Sequence, residues 1–177
     1  MKEQRVGLDS QCFSYLLDAL EGVRDPMDSL AEERKALVRI WLYTPGTFYL
    51  TDMVIRESTR IRAEGRRLMH DSWRGVHFVD VPILHPKVVE QRALSLTKSH
   101  AHLADCRILA EAEDQNLQVL LTYDDAFIRR LGASSKVALT TPSGFWTELG
   151  IPRGAQPNTI PDPSNPMSQE TWWHWTE

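Results

Sequence analysis

The chain has 177 residues, of which 42% are hydrophobic and 25% charged, values typical of one soluble domain with a substantial core. A formal net charge of -4 gives no overall basic surface, which counts mildly against a nucleic-acid substrate. The short apolar runs and the absence of a signal-peptide h-region argue against a membrane or secreted protein and favour a cytoplasmic one. The two cysteines, Cys12 and Cys106, argue against a disulfide framework or a thiolate zinc site, and we expect both to be small buried residues.

The apolar pattern predicts strands that alternate with helices along the chain. Turns are expected at Asp25-Pro26 and Pro45-Gly46, and residues 65–75 are ambiguous, with a short helix ending at Gly75 as one interpretation. The predicted strands cover residues 5–8, 47–50, 76–81, 117–121 and 137–140. The other predicted helices begin at or near residues 9, 28, 51, 85, 102, 125 and 142.

Strand–helix alternation implies a three-layer α/β/α sandwich with a central, mainly parallel sheet and right-handed crossovers. The glycine-rich motifs of dinucleotide-binding proteins and P-loop nucleotidases are both missing from the sequence, so these two α/β classes lose their main support.

The composition changes after residue 149. Residues 1–149 carry the strand–helix pattern, whereas residues 150–177 are rich in proline, glycine and asparagine, which predicts a tail that lies on the surface or is disordered. The tail ends in Trp172, Trp173, His174 and Trp175. Packing of these rings against the domain or a partner is favoured over stacking on bases, because the nearby charges are acidic.

Four acidic residues stand where solubility does not require them. Asp9 and Asp124 each end a predicted buried strand, Glu57 lies on an apolar helix face with Val54 and Ile61, and Asp105 lies on another. Buried carboxylates need cations or protons, because an unpaired buried charge costs several kcal/mol. Lys98 could pair with one of them. A divalent cation would neutralise them better, and oxygen ligands suit Mg²⁺ or Mn²⁺, which can support phosphodiester hydrolysis.

Each of these residues also has a structural interpretation. Asp9 could cap its helix, and Glu57 or Asp105 could belong to an ion pair. Asp125 is favoured over Asp124 as a cap or solvent-facing residue, because Asp124 follows the strand more directly. Two histidines before Asp105 could contact phosphate or be solvent-exposed capping residues. They are His100 and His102.

Four segments together resemble the PIN-domain metal-dependent ribonucleases, a family that includes the toxins of bacterial toxin–antitoxin pairs. They are VGLDS at Asp9, VIRES at Glu57, HLADCRILAEA at Asp105 and LLTYDDAF, whose Thr122, Asp124 and Phe127 fit the family's T-x-D-x-x-F signature. The resemblance covers about residues 4–149. The long second helix, the residues after Glu57 and the tail depart from the shorter toxin members.

The resemblance implies a metal-dependent endoribonuclease that binds Mg²⁺ or Mn²⁺ through Asp9, Asp105 and Asp124. Glu57 would be a fourth catalytic acid. It would bind the cation as a further ligand, hold a water molecule on the cation, or act as a base. Thr122, Asp125 and Ser10 would support this site. An antitoxin partner and a homodimer are further expectations from the family.

Arginines are concentrated around Glu57 and are candidates for contact with the RNA backbone, although ordinary surface charge has equal weight. The possible RNA contacts are Arg56, Arg60, Arg62 and Lys98, with Arg66 and Arg67 nearby in the sequence.

Three alternatives remain open. A phosphoacceptor receiver domain also places acids at strand ends around Mg²⁺, and Asp80 precedes a strand end, but Asp9 lacks an acidic neighbour and no lysine closes the fifth strand. A PIN-like protein that binds RNA or a partner without cleavage is weakened because all four acids are present. The third is a housekeeping RNA-processing nuclease, which the sequence does not distinguish from a toxin.

Overall fold

The computed structural model describes residues 4–21, 27–45 and 47–176. The predicted Asp25-Pro26 turn and Gly46 lie outside these residues. The described strands form one parallel sheet with the order β3-β2-β1-β4-β5. They are β1 (Val6–Leu8), β2 (Phe48–Thr51), β3 (Phe78–Val81), β4 (Val119–Leu121) and β5 (Ala138–Thr140).

Helices connect the strands, as parallel pairing requires. They are α1 (Ser10–Leu20), α2 (Ala31–Tyr43), α3 (Asp52–Ser58), α4 (Glu64–His77), α5 (Pro86–Leu96), α6 (Leu103–Asp114), α7 (Asp125–Leu131) and α8 (Pro142–Leu149). The predicted α/β/α sandwich with a parallel sheet is confirmed. Its two central strands, β1 and β4, are buried at every residue, because helices cover parallel sheets on both faces.

The register of the two central strands determines where the polar residues meet. Leu8, the last residue of β1, pairs with Leu121, the last residue of β4. Asp9 and Thr122 therefore follow at the same edge of the sheet, where open parallel sheets place their ligand sites.

Several predicted boundaries are wrong around α3 and α4. Helix α3 ends at Ser58, so Ile61 lies outside it. Helix α4 continues through Gly75 to His77, and β3 consequently begins at Phe78 rather than at Val76. A glycine only weakens a helix, and it does not by itself end one.

The C-terminal segment, residues 150–176, packs against the domain. Trp173 is only 3% exposed, and its indole Nε1 donates a hydrogen bond to the Met167 carbonyl at 2.9 Å. The Arg39 guanidinium on α2 donates to the Trp172 carbonyl at 2.9 Å. Of the two expectations for this tail, disorder is wrong for these residues, whereas the expected packing of its tryptophans is confirmed, with the domain itself as the packing surface. The division into residues 1–149 and 150–177 stays a prediction.

Among the described residues, no helix has the length and apolar character needed to cross a membrane.

Candidate metal centre

Asp9 directly follows β1, lies beside the end of β4 and precedes α1. Its backbone N–H donates to the Leu121 carbonyl at 3.0 Å, which extends the β1–β4 pairing by one residue. Its side-chain Oδ1 accepts a hydrogen bond from the Cys12 N–H at 2.6 Å, so Asp9 is the N-cap of α1. The Thr122 side chain also forms a hydrogen bond with this carboxylate. The capping role and an acidic-site role are therefore compatible.

Asp124 caps α7 in the same way, one turn beyond β4. Its Oδ1 accepts hydrogen bonds from the N–H groups of Ala126 and Phe127 at 2.7 and 3.0 Å. Its own N–H donates to Thr122 Oγ1 at 3.1 Å. Both of these hydrogen bonds end on Oδ1, and neither involves Oδ2. The Thr122 side chain connects the two capping acids.

Asp105 lies in the first turn of α6 and contacts a buried histidine. His100 Nε2 lies 2.7 Å from Asp105 Oδ2, and the His100 side chain is only 1% exposed. One ligand atom each from His100, Asp105 and Asp124 lie within 4.8 Å of one another. In the part of the chain that the structure describes, these three residues form the compact group of metal-ligating side chains.

Glu57 is half-buried on α3 and accepts a hydrogen bond from the Ser10 hydroxyl. This bond links Glu57 to the first residue of α1, directly after Asp9. Asp9 and Glu57 are not members of the compact group of three. Asp9 is near enough to Asp105 for the negative charge of Asp105 to affect its protonation.

Burial raises the pKa of Asp9 to about 6, with a smaller contribution from the charge of Asp105. Hydrogen bonds from the Thr122 side chain and from Cys12 oppose this rise. The carboxylate form of Asp9 is therefore costly in the protein alone, and a nearby cation would stabilise it.

We predict that Asp9→Asn stabilises the metal-free protein above pH 6. Since the pKa of Asp9 is raised, this residue binds more protons in the folded protein than in the unfolded chain between about pH 4 and 6, so its contribution to the free energy of unfolding falls as pH rises through this window. Asparagine is also a good N-cap, so the helix cap is kept. Relative to the wild type, the variant should gain roughly 3 kcal/mol between pH 4 and pH 7.

Urea unfolding in EDTA at several pH values measures this difference. Both proteins share the other titrating groups, so only the difference between their pH profiles matters. Parallel profiles would show that Asp9 is not destabilised by burial of its charge.

The structure corrects several expectations for single residues. His100, and not Lys98, pairs with Asp105, while Lys98 is exposed. Asp124 provides the cap of α7, whereas Asp125 is exposed, so only its solvent-facing position is confirmed. His102 is exposed at the N-cap of α6, but its side chain makes no capping hydrogen bond.

His100 is the residue of this cluster that sequence reasoning left undecided. It lies in the loop between α5 and α6, where helical periodicity gives no information about burial. Its ring stacks on Phe127 at a centroid distance of 5.5 Å and an interplanar angle of 24°. Only the folded chain brings these two rings together.

The arginines near Glu57 differ in their contacts. Arg56 pairs with Asp52 at 2.7 Å, and Arg66 pairs with Asp18 at 2.7 Å. Arg60 and Arg62 are exposed, so they and Lys98 offer positive charge to solvent.

The fold has a counterpart among solved structures. The chain matches the crystal structure of VapC20 from Mycobacterium tuberculosis, a sarcin-ricin loop cleaving toxin, with a TM-score of 0.51 and 15% sequence identity. The match covers 70% of this chain and 93% of the VapC20 chain. The fold is PIN-like. No family model matches the sequence, and the search of curated proteins gave no match.

At 15% identity the likeness shows the PIN-like fold alone. Within this fold, the acids expected from the family motifs lie after β1 (Asp9), on α3 (Glu57), on α6 (Asp105) and after β4 (Asp124). Their roles are not shown by the likeness.

Proposed function

We propose that this chain is a divalent-metal-dependent endoribonuclease of the toxin type. The observation that carries the proposal is the meeting of His100, Asp105 and Asp124 within 4.8 Å, next to the buried carboxylate of Asp9. The PIN-like fold and its likeness to VapC20 support the class of reaction.

The side chains fit a divalent cation. Carboxylate oxygens are the usual protein ligands of Mg²⁺ and Mn²⁺, and Mn²⁺ also accepts imidazole nitrogen. The raised pKa of Asp9 shows that this buried carboxylate is not fully compensated by the protein alone. We propose that Asp105, Asp124 and Asp9 hold the cation, with Glu57 as a further ligand or a base.

A divalent cation at this site would make water more acidic and stabilise negative charge on the phosphate. The fold supplies the orientation of the acids. The Thr122 hydroxyl forms a hydrogen bond with the Asp9 carboxylate and accepts one from the Asp124 backbone N–H, and we propose that it thereby helps to position both acids. We propose that Ser10 holds the Glu57 carboxylate, so that Glu57 can take a proton from the water that attacks phosphorus as the bond to the leaving oxygen breaks.

We propose that exposed arginine and lysine side chains contact the RNA backbone. These are Arg60, Arg62 and Lys98, which are exposed. Arg56 forms an ion pair with Asp52, so it would contact a phosphate while still paired with that carboxylate. Asp125 is exposed beside Asp124 and could assist at the edge of the site. With a net charge of -4, attraction of RNA would depend on such local positive charge.

The toxin assignment brings further proposals about partners and location. We propose an antitoxin protein that covers the acidic site, and cytoplasmic RNA as the substrate. A homodimer stays a prediction from the family. The sarcin-ricin loop cleaved by VapC20 is one structured RNA that this chain could cut.

Cleavage of mixed RNA by the purified protein tests the proposal. The substrates are total RNA and intact ribosomes, so that single-stranded, structured and sarcin-ricin loop targets are all present. We expect internal cuts with Mg²⁺ or Mn²⁺ and none with EDTA. Cutting that is unchanged by EDTA would contradict a metal-dependent mechanism, and the positions of the cuts would define the target.

A further inference from the structure

We propose that His100 is a positioning residue of the metal centre, which donates a hydrogen bond from Nε2 to Asp105 Oδ2 and thereby fixes this carboxylate for a divalent cation. The inference rests on the proposed function. It adds a nitrogen donor to a site otherwise described by its acids, and it gives the loop before α6 a role in metal binding.

The position of the ring is fixed from several sides. His100 is 1% exposed, and its backbone N–H donates to the Leu96 carbonyl at the end of α5 at 3.1 Å. Its own carbonyl accepts a hydrogen bond from Cys106 Sγ at 3.3 Å. Phe127 stacks on the ring. A ring held in this way can orient the carboxylate that it contacts.

The chemistry of the contact identifies the donor. An ionised carboxylate only accepts hydrogen bonds, so Nε2 must carry the proton at the 2.7 Å separation from Asp105 Oδ2. Within the described part of the chain, Nδ1 is buried without a hydrogen-bond partner. A ring protonated on Nε2 therefore satisfies the observed contact, and Asp105 would keep its negative charge for the cation.

Helix α7, which contains Phe127, also connects His100 to Asp124. Phe127, which stacks on His100, donates its backbone N–H to Asp124 Oδ1 at 3.0 Å. The first turn of α7 thus fixes one carboxylate through its backbone and the donor to the other carboxylate through a side chain. Partners that orient a metal ligand typically change metal affinity 10- to 100-fold when removed.

Two substitutions separate positioning from direct ligation. His100→Gln places an amide N–H near the position of Nε2 but provides a poor metal ligand, whereas His100→Leu keeps an apolar volume against Phe127 and removes the donor. We expect His100→Leu to weaken binding of both Mg²⁺ and Mn²⁺ by roughly 10- to 100-fold. His100→Gln should recover most of the affinity for both ions.

Calorimetric titration with Mg²⁺ and Mn²⁺ measures these affinities, and melting temperatures in EDTA report whether each variant is folded. The matched control is His174→Gln, which changes an exposed histidine of the C-terminal segment and should bind as the wild type does. Nitrogen-15 NMR of the wild-type ring is independent of whether the His100 variants fold. It should show the proton on Nε2 and a changed Nε2 signal in Asp105→Asn.

The outcomes distinguish the two proposals. Wild-type protein that binds neither ion would overturn the proposed function and this inference with it. Wild-type binding that persists in His100→Leu would overturn the inference alone. Equal loss in His100→Gln and His100→Leu, with Mn²⁺ affected far more than Mg²⁺, would show that the nitrogen is itself a ligand. A ring with no proton on Nε2 would also contradict the positioning role, because Nε2 could then not donate to Asp105.

Discussion

Replacing Asp105 by asparagine is expected to lower metal-dependent RNA cleavage by roughly 100-fold or more, a loss of at least about 2.7 kcal/mol of transition-state stabilisation. The amide has nearly the same shape as the carboxylate but has no negative charge for the cation. It also changes the partner of His100 Nε2, so both contacts of Asp105 are affected. Single-turnover cleavage of a mapped RNA site, with Mg²⁺ or Mn²⁺ in excess, measures the effect.

The control for this substitution is Asp162→Asn, which makes the same change from carboxylate to amide at an exposed position in the C-terminal segment. It should cleave at the wild-type rate. Since Asp105 is the acid shared by the His100 contact and the compact group of three, activity that survives Asp105→Asn would exclude this group as the catalytic centre.

Replacing Trp173 by alanine is expected to lower the free energy of unfolding by roughly 3 to 5 kcal/mol, the range for large aromatic side chains in well-packed cores. The side chain is only 3% exposed, and removing it would also leave the Met167 carbonyl without the hydrogen bond from its indole. For a chain of this size the melting temperature should fall by about 10 °C.

Thermal unfolding followed by circular dichroism checks this expectation. Thr171→Ala, at an exposed position two residues earlier, should leave the melting temperature nearly unchanged. If Trp173→Ala had the same melting temperature as Thr171→Ala and the wild type, the C-terminal segment would not contribute to the stable core.

The site follows from the sequence where local rules determine it. Asp9 and Asp124 each come directly after or close to a short apolar strand and before a helical pattern, so strand ends and N-caps could both be located. Helix α8 begins at its predicted position, residue 142, because Thr141 caps it and Pro142 follows, and Gly150, with a φ of 61°, ends it.

Other features depend on contacts between distant parts of the chain, and periodicity does not report these. His100 is buried because Phe127 from α7 covers a loop residue. The inward position of Glu57 was argued from Ile61, which lies outside α3, whereas its actual contact is the Ser10 hydroxyl, 47 residues earlier. The sequence favoured packing of the C-terminal tryptophans, but it did not show that the hydrogen-bond acceptor of Trp173 is the Met167 carbonyl or that Arg39 of α2 binds the Trp172 carbonyl.

The contacts of the C-terminal segment have a consequence for the order in which the protein folds. The Asn165 side-chain amide donates a hydrogen bond to the Leu20 carbonyl, 145 residues earlier in the chain. The Arg39 guanidinium donates one to the Trp172 carbonyl, 133 residues later. During synthesis, α1 and α2 leave the ribosome long before the residues that cover their ends. Because such long loops close slowly, we expect a nascent chain to pass through a stage in which the sheet has formed but the contacts of the C-terminal segment with α1 and α2 have not.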